Sequence, residues 1–274
     1  MTTRSHLSGA LLVVALLLAG CVGGGSTTPT ATPTDSVDDG DVPSAEELQA
    51  ATLAAMGNVS AYTAEQNATI VQHREDGDLT STVDVEYGLN RTSRSVVSHR
   101  TETRSGQQVD IDRYVLDQTL YQRGEQFRSE YGSEWIERDV SESFARHWLL
   151  YDQLRLHQFF LDNASLSSVE TTTFDGRDVY VLDAEVNRGE LNRELRDALD
   201  LPAGVEANVS LRSTFRIDTE TYRPIAIQRT AEVTRSIEEQ SVNVEREITT
   251  RLSYGNVSVS LPEGAENAGV LGEE

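Results

Sequence analysis

The chain has 274 residues, 45 acidic and 23 basic side chains and a net charge of −22, with a pI near 4.5. Every Lys-or-Arg position is Arg, and Lys does not occur. A surface this acidic, without clustered cations, excludes phosphate-backbone binding, and the lone Cys21 excludes a disulfide within the chain.

Arg4 and His6 precede an unbroken apolar run, Leu11 to Leu18. Spanning a bilayer takes about 20 apolar residues, so the run is too short to cross one. It has the length of a signal-peptide core. It ends in Leu18-Ala19-Gly20-Cys21. This resembles the lipobox of secreted lipoproteins, in which the Cys receives a lipid after cleavage. The resemblance implies a cleaved signal peptide at 1–20 and a two-chain anchor on Cys21, enough for stable attachment. The blander alternative is an ordinary signal peptide with an incidental Cys. Cys21 stands at the one position where lipidation uses it. The expected location is the extracellular face of the cell membrane, and no Arg-Arg pair marks the leader for twin-arginine export.

Residues 22–43 are rich in Gly, Ser, Thr, Pro and Asp and read with Cys21 as a flexible tether at 21–43, with ends roughly 25 Å apart as a coil. Its Asp38, Asp39 and Asp41 lack the spacing of a calcium loop and read as a solvated run. A folded domain is expected over 44–263, long enough for a sizeable core. Ser44 and Glu47 form a capping-box pattern at the start of a first helix that stops near Gly57. Strands follow near 62–73, 83–87, 94–103, 108–116 and 119–128, with Asp117-Gln118 as a turn. A second helix is expected over 141–161. Trp148, Leu149, Leu150, Tyr151, Leu154, Leu156, Phe159, Phe160 and Leu161 place apolar surface all round it. Val169–Thr173 and Val179–Val186 read as a hairpin about Asp175-Gly176. A third helix fits 189–200. Val205 to Ile217 and Val242 to Tyr254 alternate apolar and polar residues, with Ile225 and Ile227 on a strand between them. Such strands belong to an antiparallel sheet buried on one face. Residues 264–274 read as a frayed terminus.

This periodicity argues against an acidic disordered chain. Self-repulsion at −22 is screened at molar salt, where the Debye length is about 3 Å. The composition therefore resembles proteins of salt-loving archaea. Six Asn-X-Ser/Thr sequons begin at Asn58, Asn67, Asn90, Asn163, Asn208 and Asn256, as on a glycosylated exterior. Asn58 and Asn163, beside helix ends, look most accessible.

Catalytic signatures are scarce. His6, His73, His99, His147 and His157 form no metal-ligand pair at usual spacing and read as surface or helix-flank residues. There is no Gly-X-Ser-X-Gly elbow and no thiol beyond Cys21. Asp110 and Asp112 share one face of a strand, an arrangement expected by chance among 45 acids. The expectation is a protein that is not an enzyme and needs no cofactor or metal.

Three passages carry a fold resemblance: Tyr114 to Tyr121, Phe174 to Leu182, and Phe215 to Asp218 with Tyr222 to Ile225. With the element order and lipobox, residues 44–262 resemble the lipoprotein carriers related to LolA, LolB, LppX and LprG. The resemblance implies an α+β domain, a curved antiparallel half-barrel sheet wrapping two or three helices, with room for a lipid tail between them. Trp148, Tyr151, Leu154, Phe159 and Phe160 are then candidates to line a cavity, unless they simply fill a core. Two functions stay open. One is a non-enzymatic, membrane-anchored lipoprotein binding a lipid or other apolar ligand. The other is an envelope interaction or sensing module with a filled core and a protein partner, for which Trp135 offers an exposed patch or a strand residue.

Overall fold

A computed structural model describes residues 42–74, 77–186, 207–237 and 240–271. The leader, Cys21 and the helix expected over 189–200 lie outside the described residues, as does all but the end of the tether.

Among the described residues the fold is α+β, a curved open sheet of 12 strands with helices packed on it. Helix α1 (Ala45–Gly57) opens the domain. Ser44 accepts from the backbone N–H of Glu47, whose carboxylate accepts from that of Ser44, completing the box read from sequence. Strands β1 (Ala61–His73), β2 (Leu79–Asn90), β3 (Ser95–Arg104), β4 (Gln107–Leu116) and β5 (Thr119–Arg123) follow. Next come α2 (Glu125–Tyr131), β6 (Trp135–Asp139), α3 (Ser141–Tyr151) and α4 (Gln153–Asp162). The hairpin β7 (Ser165–Phe174) and β8 (Arg177–Val186) precedes β9 (Ala207–Asp218), β10 (Pro224–Ile237) and β11 (Gln240–Tyr254). A 3-10 turn at Ala265–Asn267 leads into β12 (Gly269–Val270).

The strand order is β12-β6-β5-β4-β3-β2-β1-β11-β10-β9-β8-β7. Every pairing is antiparallel except β12 with β6. Strands β4 with β5 and β7 with β8 pair through tight two-residue turns. At Asp117-Gln118 and Asp175-Gly176 both turn residues take positive φ, the mirror-image turn whose twist matches the strands. Pairing of β1 with β11 joins the two halves, placing Tyr62 opposite Tyr254 and Ala68 opposite Ile248.

One face of the sheet is apolar and meets the helices. Tyr62, Leu89, Val96, Val115, Leu182, Phe215 and Ile227 share a buried cluster with Leu48 and Met56 of α1 and with Phe144, Trp148, Leu154 and Leu161 of α3 and α4.

Three expectations change. The helix read over 141–161 is two helices separated at Asp152. The strand read to 128 stops at Arg123, and Gly124 opens α2, which ends at Gly132 in the left-handed conformation. The terminus read as frayed is paired: Gly269 and Val270 lie beside Ile136 and Glu137. Its Ala265 is buried, and Gly264 packs near the indole of Trp135. Trp135 is accordingly a buried strand residue, its ring tilted against that of Tyr114 at 5.8 Å between centroids, and not an exposed patch.

Candidate functional site

The break between α3 and α4 is a buried polar clamp. Asp152 is 1% exposed. Its carboxylate caps α4 by accepting from the N–H of Arg155 at 3.0 Å. It also accepts from Arg91 Nε at 2.7 Å, Arg91 Nη2 at 3.1 Å and the Tyr62 hydroxyl at 3.1 Å. Tyr62 Oη in turn accepts from the N–H of Leu154 at 2.9 Å. Arg91 Nη1 reaches back to the carbonyls of Met56 and Val59 at 2.7 and 3.1 Å. One guanidinium thus fixes the end of α1, the end of β2 and the helix break together. A short acidic side chain that caps a new helix competes with continuing the old one. Here a planar fork on the carboxylate decides the contest.

Beyond the break, Phe144, Trp148 and Tyr151 of α3 form a tilted aromatic row, with centroids 5.4 to 6.4 Å apart. Tyr151 faces Arg113 of β4 and Arg138 of β6. Burial lowers the basicity of Arg113, whose Nε has no acceptor.

A second polar group lies under α4, on the otherwise apolar face. Arg229 of β10 and His157 of α4 are 7% and 3% exposed. Arg229 Nη2 donates to His157 Nδ1 in a very short contact, and its guanidinium lies 4.4 Å from the Phe160 ring centre. A guanidinium has no acceptor, so the His157 proton sits on Nε2. Burial, and then Arg229, hold His157 well below the usual imidazole range. Burial lowers Arg229 to about 10, so it remains charged at neutral pH. Arg229 Nε has no acceptor, and the Ser213, Thr250 and Tyr87 hydroxyls are also buried without a partner of normal geometry. Ser213 stands directly opposite Arg229 on β9. Tyr87 interacts electrostatically with Arg229. Each unsatisfied buried group costs about 1–3 kcal/mol.

The five proposed lining residues divide between packed clusters. Trp148 and Leu154 belong to the cluster shared with α1, and half-buried Tyr151 packs against it. Phe160 belongs to a second cluster with Leu156, Val186, Leu211 and Ala231, against which Phe159 packs. None of the five lines the open cleft of about 1110 Å³. That cleft runs between the β7–β8 turn at Phe174 and Asp175 and the segment Asn256 to Ser258. It is lined by Glu65, Glu86, Asp218, Arg223 and Arg251 among others.

Asp110 and Asp112 are already engaged. Asp110 accepts from Thr101 at 2.7 Å and from Gln108, which keep its carboxyl below the usual range. Asp112 meets His99 at 2.7 Å and Arg123 at 3.6 Å.

The sequons differ in what holds their amides. Asn58 and Asn256 are exposed. Asn67 Nδ2 donates to Asp84 at 2.6 Å. Half-buried Asn90 and Asn163 donate to the carbonyls of Val257 and Phe159 at 2.9 and 2.8 Å. The Asn208 side chain, like that of His147, lies outside what the structure describes.

His157 and Arg229 were missed as a pair because His157 was read as a flank residue. The signal was present. His157 shares the stripe of Leu154 and Leu161 in α4, and Arg229 continues the alternation of Ile227 and Ala231. A polar residue at an inward position of each element marks the contact.

Residues 6–210 match the family of unknown function DUF7537, and the chain belongs to that family. No curated protein matches the sequence. Among solved structures it is similar to LprF from Mycobacterium bovis, at 11% identity and a TM-score of 0.42, over 81% of this chain and 97% of that one. It is also similar to a LolA-superfamily protein from Nitrosomonas europaea, at 9% identity and 0.27, over 79% and 96%. A DUF1329 protein from Desulfovibrio piger aligns at 11% identity and 0.28, over 79% and 95%. Likenesses this remote supply no argument about ligand or activity.

Proposed function

We propose that this chain is an exported lipoprotein of a salt-loving cell, held on the outer face of the membrane through Cys21, whose domain binds a lipid or other amphiphile without catalysing a reaction. The observation that carries the ligand reading is the break at Asp152. It leaves α3 as a separate aromatic-faced helix laid on the sheet, clamped to the rest by one buried carboxylate. A helix attached this way can lift as a unit without unfolding α4. What supports the anchor is the apolar leader ending at the sole Cys. The acidic, Lys-free composition supports a saline exterior.

The binding reading is tested by native mass spectrometry of the full chain taken from its own membranes. An adduct of lipid mass, lost when Trp148→Ala thins the aromatic row, is the expected result. A homogeneous protein mass, beyond the anchor and glycans, overturns it. The anchor is tested by Cys21→Ser, which is expected to retain the leader. Normal cleavage of that variant with continued membrane attachment overturns the anchor.

A second reading, a partner-binding module with a filled core, is favoured by the packing of Trp148, Leu154 and Phe160 within clusters. It places the partner in the cleft beside Arg223 and Arg251. Cross-linking on intact cells that captures one protein through that cleft, with no lipid adduct, selects it.

A further inference from the structure

Resting on the amphiphile reading, we infer that Arg229, His157 and the neighbouring hydroxyls form a subsite for the anionic group, a carboxylate or phosphate, of the bound ligand. The apolar face of the sheet has no need of a cation at this point. Ile227 and Ala231, two residues to either side of Arg229 on β10, are buried and apolar, and Ile248 stands opposite it on β11. Yet a charged guanidinium is held there, and among the described residues no carboxylate pairs with it. Elsewhere the chain does supply the partner: Arg91, also under the helices, has Asp152 at 2.7 Å. With 45 acids available, a counter-ion for Arg229 was within easy reach of sequence change. An unpaired buried charge is strongly disfavoured unless something else completes it.

The groups around Arg229 are donors. Arg229 Nε and the Ser213 and Thr250 hydroxyls lack acceptors. Neutral His157 carries its proton on Nε2, because Nδ1 already accepts from Arg229. Ser213 is the cross-strand neighbour of Arg229, and Thr250 lies opposite Ile227, one step along the same face. Several donors round one fixed cation make an oxyanion receptor. Phe160 and Phe215 flank it, Phe160 under the guanidinium and Phe215 edge-on to the imidazole at 6.5 Å. The anion would therefore enter with apolar matter on both sides, as the head of an amphiphile does. A neutral ligand of the same shape would leave the cation unpaired.

The test titrates the full chain, held in nanodiscs of neutral lipid, with decanoate, decanol and inorganic phosphate, empty nanodiscs giving the partition baseline. Arg229→Met keeps the side-chain bulk and removes the charge. The subsite predicts that wild-type protein prefers decanoate over decanol by about tenfold beyond the baseline, the worth of one charge-assisted contact. It predicts that Arg229→Met brings this ratio to baseline while still binding decanol. Competition by phosphate alone identifies a free anion as the ligand; its absence identifies the lipid head. Equal binding of acid and alcohol by wild type overturns the subsite and leaves the amphiphile reading standing. Binding of neither probe, nor of phosphate, overturns both. An unchanged ratio in Arg229→Met, with a normal circular dichroism spectrum, shows that the cation is purely structural and also overturns the subsite.

Discussion

Replacing Asp152 by Asn keeps the shape of the clamp and removes its charge. The carboxylate holds four donors: Arg91 Nε and Nη2, the Tyr62 hydroxyl and the Arg155 N–H. Asn has one oxygen to accept with, and its amide turns a donor toward Arg91 or Tyr62. Breaking one side of a buried pair costs about 3–5 kcal/mol. Arg91 keeps two carbonyl acceptors and its side chain is 16% exposed, so the lower end applies, about 3 kcal/mol. For a domain of this size each kcal/mol moves Tm by about 2–4 °C, giving a loss of about 6–12 °C. The assay is differential scanning calorimetry in molar salt. High salt screens exposed charges and leaves a buried pair largely unscreened, so the loss should persist there. The double variant Arg91→Met with Asp152→Leu replaces both partners with apolar groups and should recover much of the loss. A Tm for Asp152→Asn within about 1 °C of wild type, or a double variant as unstable as the two single losses added, refutes the clamp.

Arg251 pairs with Asp175 at 2.7 Å, but both side chains are 55% exposed; Arg251→Ser should shift Tm by no more than about 1 °C in the same scan. His157 is held below its unfolded pKa near 6.5 by burial, so below that pH the unfolded chain binds the extra proton. Its contribution is complete above about pH 6.5 and falls away under it, by up to about 1.4 kcal/mol per pH unit. Urea unfolding between pH 7.5 and 5 should show this loss in wild type and a shallower one in His157→Gln; parallel curves refute it. Intact glycopeptide mass spectrometry should find sugar at Asn58 and Asn256, whose side chains are exposed, and none at Asn90, whose amide is bound to Val257.

What the sequence made legible was the sheet. Alternation along 207–218 and 242–254 gave the strands, because a one-sided sheet writes burial into every second residue. The turn chemistry at Asp117-Gln118 and Asp175-Gly176 marked the connections of β4 to β5 and of β7 to β8. The helix break was not legible. Leu149, Leu150 and Tyr151 before Asp152, and Leu154 after it, present an unbroken apolar pattern. The competing cap is settled by Arg91 and Tyr62, which lie 61 and 90 residues away. The terminus was misread for a similar reason: β12 is two residues long, and its pairing is with β6, more than 130 positions away in the chain. The cavity candidates were apolar enough to line a void or to fill one, and side-chain chemistry alone does not separate those outcomes.

Two of the arginines under the helices, Arg91 and Arg229, separate fold from function. Both are planar, always charged and suited to burial in a way Lys is not, and a chain without Lys has placed Arg at each position. Arg91 meets a carboxylate and two carbonyls and has every reason to be there for stability alone. Arg229 meets a neutral imidazole and an aromatic face. Removing the first should therefore lower Tm by several degrees, since it strands Asp152 without its counter-charge. Removing the second, as Arg229→Met, should leave Tm unchanged or raise it, since an unpaired buried charge is replaced by apolar matter. A residue whose loss improves the fold is kept for something the fold does not need. If Arg229→Met instead loses as much stability as Arg91→Met, the guanidinium belongs to the core and the case for an anion beneath α4 goes with it.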